Sequence, residues 1–127
     1  MIDVEKQIIF WRDGSVEDWD VARELVQHGR TRHGLFFAHL TLEKLLKAAV
    51  VRRTNEFAPR IHNLVRLAQL AQLEITDARL DTLAEMNAYN IEGRYPESLT
   101  APPSPAEAKE QMKGAEEIRS WLMSLLS

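Results

Sequence analysis

Gly34 to Arg53, reading GLFFAHLTLEKLLKAAVVRR, decides the fold. It holds twelve apolar residues in twenty, no Pro, and no Gly beyond its first position. Leu, Ala, Glu and Lys, all good helix formers, fill its middle. At 100° per residue Ala38, Leu42, Leu45 and Ala49 share one face, bordered by Phe37, Thr41 and Ala48. His39, Glu43 and Lys47 line up at i, i+4, i+8 on the other side, closely flanked by Phe36, Leu40, Leu46 and Val50. A helix that is apolar nearly all round needs neighbours on more than one side. At 1.5 Å per residue this one is about 30 Å long, the diameter of a small domain. Glu43, Lys44 and Lys47 interrupt it too often for a membrane span, which needs ~20 mostly uncharged residues. The stretch reads as the central helix of a helical bundle.

Elements on either side follow the same logic. Val4, Ile8 and Trp11 stand at helical spacing, as do Trp19, Ala22, Leu25 and Val26. Between them, Asp13-Gly14-Ser15 leaves two options, a break into two helices or one helix with an irregularity at Gly14, and Ser15 with Asp18 resembles an N-cap start. Gly29 has the place of a C′ stop. Past the central helix, which ends by Asn55, Pro59 disfavours helix at Ala58. A third helix is expected from about His62 to Leu73, with Leu64, Leu67, Ala68 and Ala71 inward. A fourth is expected from Asp77 to about Asn90, with Leu80, Leu83, Ala84 and Met86 inward. Four of the five prolines lie between Pro96 and Pro105, a rigid connector. Ser104-Pro105-Ala106-Glu107 then sets Ser at N-cap, Pro at N1 and Glu at N3. The last helix runs to about Leu125, with Ala108, Met112, Ala115, Ile118, Trp121, Leu122 and Leu125 inward. No strand pattern appears. The expectation is an all-α, up-and-down antiparallel bundle of four to five helices in a single domain, residues 1–127.

Composition narrows the chemistry. The chain has no cysteine, which removes disulfides, thiolate catalysis and Cys-based zinc sites. No signal peptide or transmembrane run is present, so a cytoplasmic location is expected. Net charge is −3, but His28 to Arg66 carries eight basic residues against Glu43 and Glu56, together with all four histidines. That segment is +6 and the remainder −9, which permits a local anion-binding face on an acidic protein. There is no HExxH motif, Gly-rich phosphate loop or nucleophile elbow, and the histidines lack i, i+4 spacing for a metal. No catalytic residue, metal or cofactor is assigned.

Several pieces, in order, carry a resemblance. They are Trp11, Asp18 and Ala22; Phe36-Phe37-Ala38-His39 leading into Glu43-Lys44 and Lys47; Pro59 with His62-Asn63-Leu64 and Leu67; and Tyr89-Asn90 with Arg94-Tyr95-Pro96. Together they resemble the HEPN domain over nearly the whole chain. The resemblance implies a bundle of four or five helices that is usually a homodimer and frequently pairs with a small nucleotidyltransferase encoded nearby. One branch of the family contains metal-independent ribonucleases, often toxins of toxin–antitoxin pairs, with an Arg-x(4–6)-His motif late in the bundle. Here that pattern occurs only early, as Arg23 to His28 and Arg32 to His39, and no histidine follows Arg94. This departure counts against ribonuclease activity. The Arg-Tyr-Pro ending resembles the other branch, for which nucleotide or nucleic-acid association is proposed.

Three constellations are candidate ligand sites. His39, Glu43 and Lys47 form either a phosphate-binding or proton-handling row, or a buried ion pair. His62 opens the third helix beside Arg60, where free N–H groups bind anions unless His62 or Asn63 caps them. Tyr89, Asn90, Arg94 and Tyr95 offer a guanidinium fork and stacking rings, or else a structural turn. Any ligand is expected to bear phosphate, a nucleotide or RNA, bound through Arg30 to Arg66 together with Arg94 without a divalent metal. The apolar flank of the polar row, with Phe36, Leu40, Leu46 and Val50, is the expected homodimer face.

Overall fold

The computed structural model describes residues 1–94 and 101–127, residues 92–94 by backbone only. Among the described residues there are five helices and no strand: α1 (Val4–Gln27), α2 (Thr31–Thr54), α3 (Leu64–Leu70), α4 (Asp77–Arg94) and α5 (Pro105–Leu126). The all-α bundle expected from the periodicity is what forms.

α1 starts on the Asp3 side chain, which accepts from Lys6 N at 3.0 Å. It runs unbroken through Gly14, resolving the open choice in favour of one helix. Ser15 is buried, and its hydroxyl donates back to Arg12 O at 2.6 Å instead of capping a new helix. A Cβ on Gly14 would stand 3.2 Å from Lys44 Cδ and Nζ, so the missing side chain is the space through which Lys44 passes. Lys44 Nζ then meets Asp18 Oδ2 at 2.7 Å, tying α1 to α2. α1 ends in a Schellman motif: Gly29, at φ +80°, donates to Val26 O, and Arg30 N donates to Leu25 O.

α2 is the axis. Leu35, Ala38, Leu42, Leu45, Leu46, Ala48 and Val51 have no exposed surface, and the other four helices all pack against it. The apolar flank expected to face a second copy is covered only in part within the chain: Leu46 is fully buried and Val50 is 3% exposed, whereas Phe36 and Leu40 are partly exposed. Leu46 and Val50 therefore offer nothing to a second copy, while Phe36 and Leu40 leave a partly open apolar strip on α2. Gly34 permits the closest approach, since a Cβ there would lie 2.4 Å from Val26 Cγ2 and 3.0 Å from Ala22 O. Asn55 in the left-handed region closes the helix.

α3 is shorter at both ends than its periodicity suggests. Asn63 caps it, accepting from Arg66 N at 3.1 Å, and Gln72 at φ +53° ends it. α4 continues past Asn90 to Arg94. α5 carries the expected capping box on Ser104 and Glu107. Its last carbonyls, normally orphaned, accept from distant arginines: Leu125 O from Arg52 at 2.9 Å, and Leu126 O from Arg12 at 3.2 Å. Two inward assignments fail. Ala84 faces solvent, as does Leu125, whose place in the core is taken by Leu126.

Leu45→Ala should destabilise the protein by ~2–5 kcal/mol, as truncation of a fully buried leucine leaves a cavity. Gly34→Ala should also destabilise despite alanine's higher helix propensity, because backbone stands in its way on α1. Urea unfolding followed by circular dichroism measures both, and a stabilised Gly34→Ala would contradict the tight α1–α2 contact.

Candidate functional site

A polar cluster sits where α2, the start of α3 and the middle of α4 meet. Its centre is Glu43, only 5% exposed. A lone buried carboxylate is costly, so it needs partners. Lys47, one turn on, stands 3.1 Å from Glu43 Oε2, and its ammonium lies 5.2 Å from the centre of the Trp11 ring. His62 Nδ1 donates to Glu43 Oε1 at 3.0 Å across the α2–α3 connection. The His62 side chain is half exposed, so its ring is anchored on one edge and open on the other.

His39, one turn before Glu43, is fully buried, with Nδ1 3.7 Å from Glu43 Oε1. Desolvation lowers its pKa to about 4; the Glu43 charge and the Asn87 side chain oppose the shift without cancelling it. The ring is therefore neutral at pH 7. The row expected on one side of α2 exists, but it is internal, the buried-pair alternative.

Asn87 holds the other side together. Its Oδ1 accepts from Leu64 N at 2.9 Å, and its Nδ2 donates to Asn63 Oδ1 at 3.1 Å. With Asn63 on Arg66 N, two of the first N–H groups of α3 are occupied by side chains. Side-chain capping, the alternative open at that helix start, therefore takes up the Leu64 and Arg66 N–H groups. Asn87 was not among the sequence candidates, although an amide beside Met86 and one turn beyond Leu83 was a signal of inward polarity.

The remaining candidates divide. Tyr89 packs half-buried against the core, and Asn90 is buried on α4. The Arg94 side chain and all of Tyr95 lie outside the described residues. The early Arg–His pairs do not form an open pair of acid and base. His28 Nδ1 bonds back to Glu24 O at 2.8 Å at the end of α1, and His39 is sealed.

The basic segment is not one face. Lys44 and Lys47 are paired, Arg52 caps α5, and Arg53 donates to the Gln72 side chain. Arg30 stands at the opposite end of α2 from Arg53, about 35 Å away at 1.5 Å per residue. Arg32 lies half-buried near the start of α2, and Arg60 and Arg66 are exposed on either side of His62 in sequence. The open edge of the cluster is thus the exposed side of the His62 ring, with Arg60 and Arg66 close to it in sequence.

A family model described as HEPN domain matches residues 9–125. The chain belongs to the HEPN domain family. Two solved structures share the HEPN fold seen here at low identity. TT1696 from Thermus thermophilus superposes with a TM-score of 0.78 at 20% identity, over 93% of this chain and 97% of its own. ST0689, an archaeal HEPN homologue, does so with a TM-score of 0.73 at 20% identity over the full length of both chains. No curated protein matches this HEPN chain. Among its described residues, no helix is long and apolar enough to cross a membrane.

Burial of neutral His39 couples stability to pH. The unfolded chain takes up a proton near pH 6.5, the native ring only near pH 4. Between those values the unfolded state binds more protons, so stability is full above about pH 6.5 and declines toward pH 4, by at most ~3 kcal/mol from this group. His39→Gln should remove that part of the slope in unfolding curves taken across the window. A slope unchanged by the substitution would show that His39 titrates normally.

Proposed function

We propose that this HEPN protein is a non-catalytic binding and dimerisation module. In this reading it is a cytoplasmic, single-domain homodimer that partners a small nucleotidyltransferase and binds a phosphate-bearing ligand, nucleotide or RNA, without metal or other cofactor. The observation that carries the ligand part is the open edge of the cluster. His62 is fixed by a buried carboxylate, leaves half its side chain in solvent, and has exposed Arg60 and Arg66 two residues before and four residues after it in sequence. Guanidinium groups bind phosphate bidentately, and an imidazole held rigid loses little entropy on adding a hydrogen bond. Arg94 is the further arginine proposed for the ligand. Lys47 supports the site indirectly, by neutralising Glu43, since it is too buried to meet a ligand itself.

The same geometry favours one alternative, a metal-independent ribonuclease of a toxin–antitoxin pair. A buried carboxylate on one nitrogen of an exposed histidine sets the tautomer of a general base and leaves the other nitrogen free to act. A second acid would then have to come from the other protomer of a dimer.

Titration with nucleotides and short RNA at increasing salt separates these readings. Binding should weaken with salt, with a logarithmic slope of about −0.7 for each phosphate neutralised on a single strand. Arg60→Ala and Arg66→Ala should each flatten that slope while leaving the fold intact. Absence of binding at millimolar nucleotide and tens of micromolar RNA would overturn the binding module. RNA cleavage in chelator, abolished by His62→Gln, would establish the ribonuclease instead.

A further inference from the structure

Between Ile9 and Glu24, α1 turns an unusual face to solvent. Ile9, Phe10, Val16 and Val21 are 45%, 63%, 45% and 37% exposed. Asp13, Glu17, Asp20 and Glu24 are exposed between them. At 100° per residue all eight fall within about 140° of arc, and within that stretch the arc holds neither a base nor a neutral polar residue. Arg23, the one exposed base of the stretch, sits at the margin. A pocket of about 420 Å³ opens beside the face, lined by Phe10, Trp11 and Gly14 with Asp13 and Glu17 among its walls. Its one base, Lys44, is already neutralised by Asp18.

We infer that this face of α1 docks a different protein, through a cationic amphipathic helix. The four carboxylates form the central stripe of this arc, with Ile9 and Val16 on one margin and Phe10 and Val21 on the other, and large apolar side chains exposed on both margins mark an interaction surface. The carboxylates between them select the charge of what covers it, and they repel nucleic acid. They also select against a second copy. A two-fold interface sets the same patch against itself, bringing four carboxylates of one protomer against four of the other. A helix with lysines or arginines in a central stripe at i, i+4, i+7 and leucines on both margins satisfies both halves of the pattern, one apolar side chain anchoring in the pocket between Phe10 and Gly14. The inference is independent of the phosphate-ligand reading, whose residues lie on α2, α3, the connection between them and the end of α4.

The test is fluorescence-anisotropy titration of the full chain with three labelled synthetic peptides. They are a Leu–Lys helix with that spacing, a scrambled peptide of the same composition, and a Leu–Glu helix. The Leu–Lys helix should bind in the micromolar range, about tenfold or more tighter than the scrambled peptide, and the Leu–Glu helix should not bind. Phe10→Ser should weaken the Leu–Lys helix about tenfold. Asp13→Lys combined with Glu17→Lys should transfer the preference to the Leu–Glu helix. All three positions are exposed, and circular dichroism checks that the variants stay folded. Equal binding of the scrambled peptide, or no binding of the Leu–Lys helix, overturns the inference. So does a dimer in sedimentation that Phe10→Ser dissociates, which would give the face to a second copy.

Discussion

Glu43 is the constraint on which the rest of the cluster depends. It sits mid-way along a helix whose neighbours are nearly all apolar, and it is buried on every side that another helix can reach. A carboxylate there is tolerated only with partners, and the chain brings them from two elements. Lys47 comes from the next turn of the same helix, and His62 comes from beyond the α2–α3 loop. The second partner dictates a path. Because His62 must reach back to Glu43, the chain stays extended through Pro59 and Ile61, and α3 begins only at Leu64. Asn63 and Asn87 then satisfy the N–H groups that this late start exposes. The short third helix, the cap and the inward amide on α4 are consequences of one buried charge.

His39 adds asymmetry to that arrangement. It is nearer in sequence to Glu43 than His62 is, yet it sits farther from the carboxylate and is wholly dry. Two histidines beside one carboxylate are therefore in opposite situations, one held neutral by burial and the other reaching solvent. Breaking the cluster by removing Glu43 would strand the Lys47 ammonium in a site with little water, typically a loss of about 3–5 kcal/mol. Polar groups in this core thus tie structure to the one edge through which it could meet a ligand.

The fold was legible where periodicity was long. α2 and α5 could be placed to within a few residues, because a 20-residue apolar pattern and a complete capping box leave few alternatives. It was least legible at Gly14-Ser15, where two residue types that usually end helices are accommodated by Lys44 and by a hydroxyl turned onto Arg12 O. The row of His39, Glu43 and Lys47 was legible on one side of α2, but that His62 joins it was not, because only the path of the α2–α3 connection brings His62 to Glu43. Nor were their roles. Whether a polar residue on a central helix faces ligand or neighbour depends on what the other helices cover. The apparent basic segment misled for a related reason: sequence proximity sums charge, whereas a 24-residue helix spreads it over its length and gives Lys44, Lys47 and Arg52 partners in Asp18, Glu43 and the end of α5.

Enclosure of α2 also determines where this bundle can meet other molecules. Once four helices pack on the axis, most of its apolar surface is taken up, and α1 carries four of the eight large apolar side chains exposed among the described residues. α1 can carry it because its inner face is complete: Ile8, Trp19 and Ala22 fill the core, Arg12 closes the end of α5, and Asp18 holds Lys44. None of the exposed positions from Ile9 to Glu24 is needed for those contacts, so their pattern of apolar and acidic residues is not a requirement of the bundle. The Glu43 cluster differs in this respect. There the same side chains hold the core and border the solvent, so a substitution changes stability and recognition together. On α1 the two are separable, and a change in recognition can be read there without a change in fold.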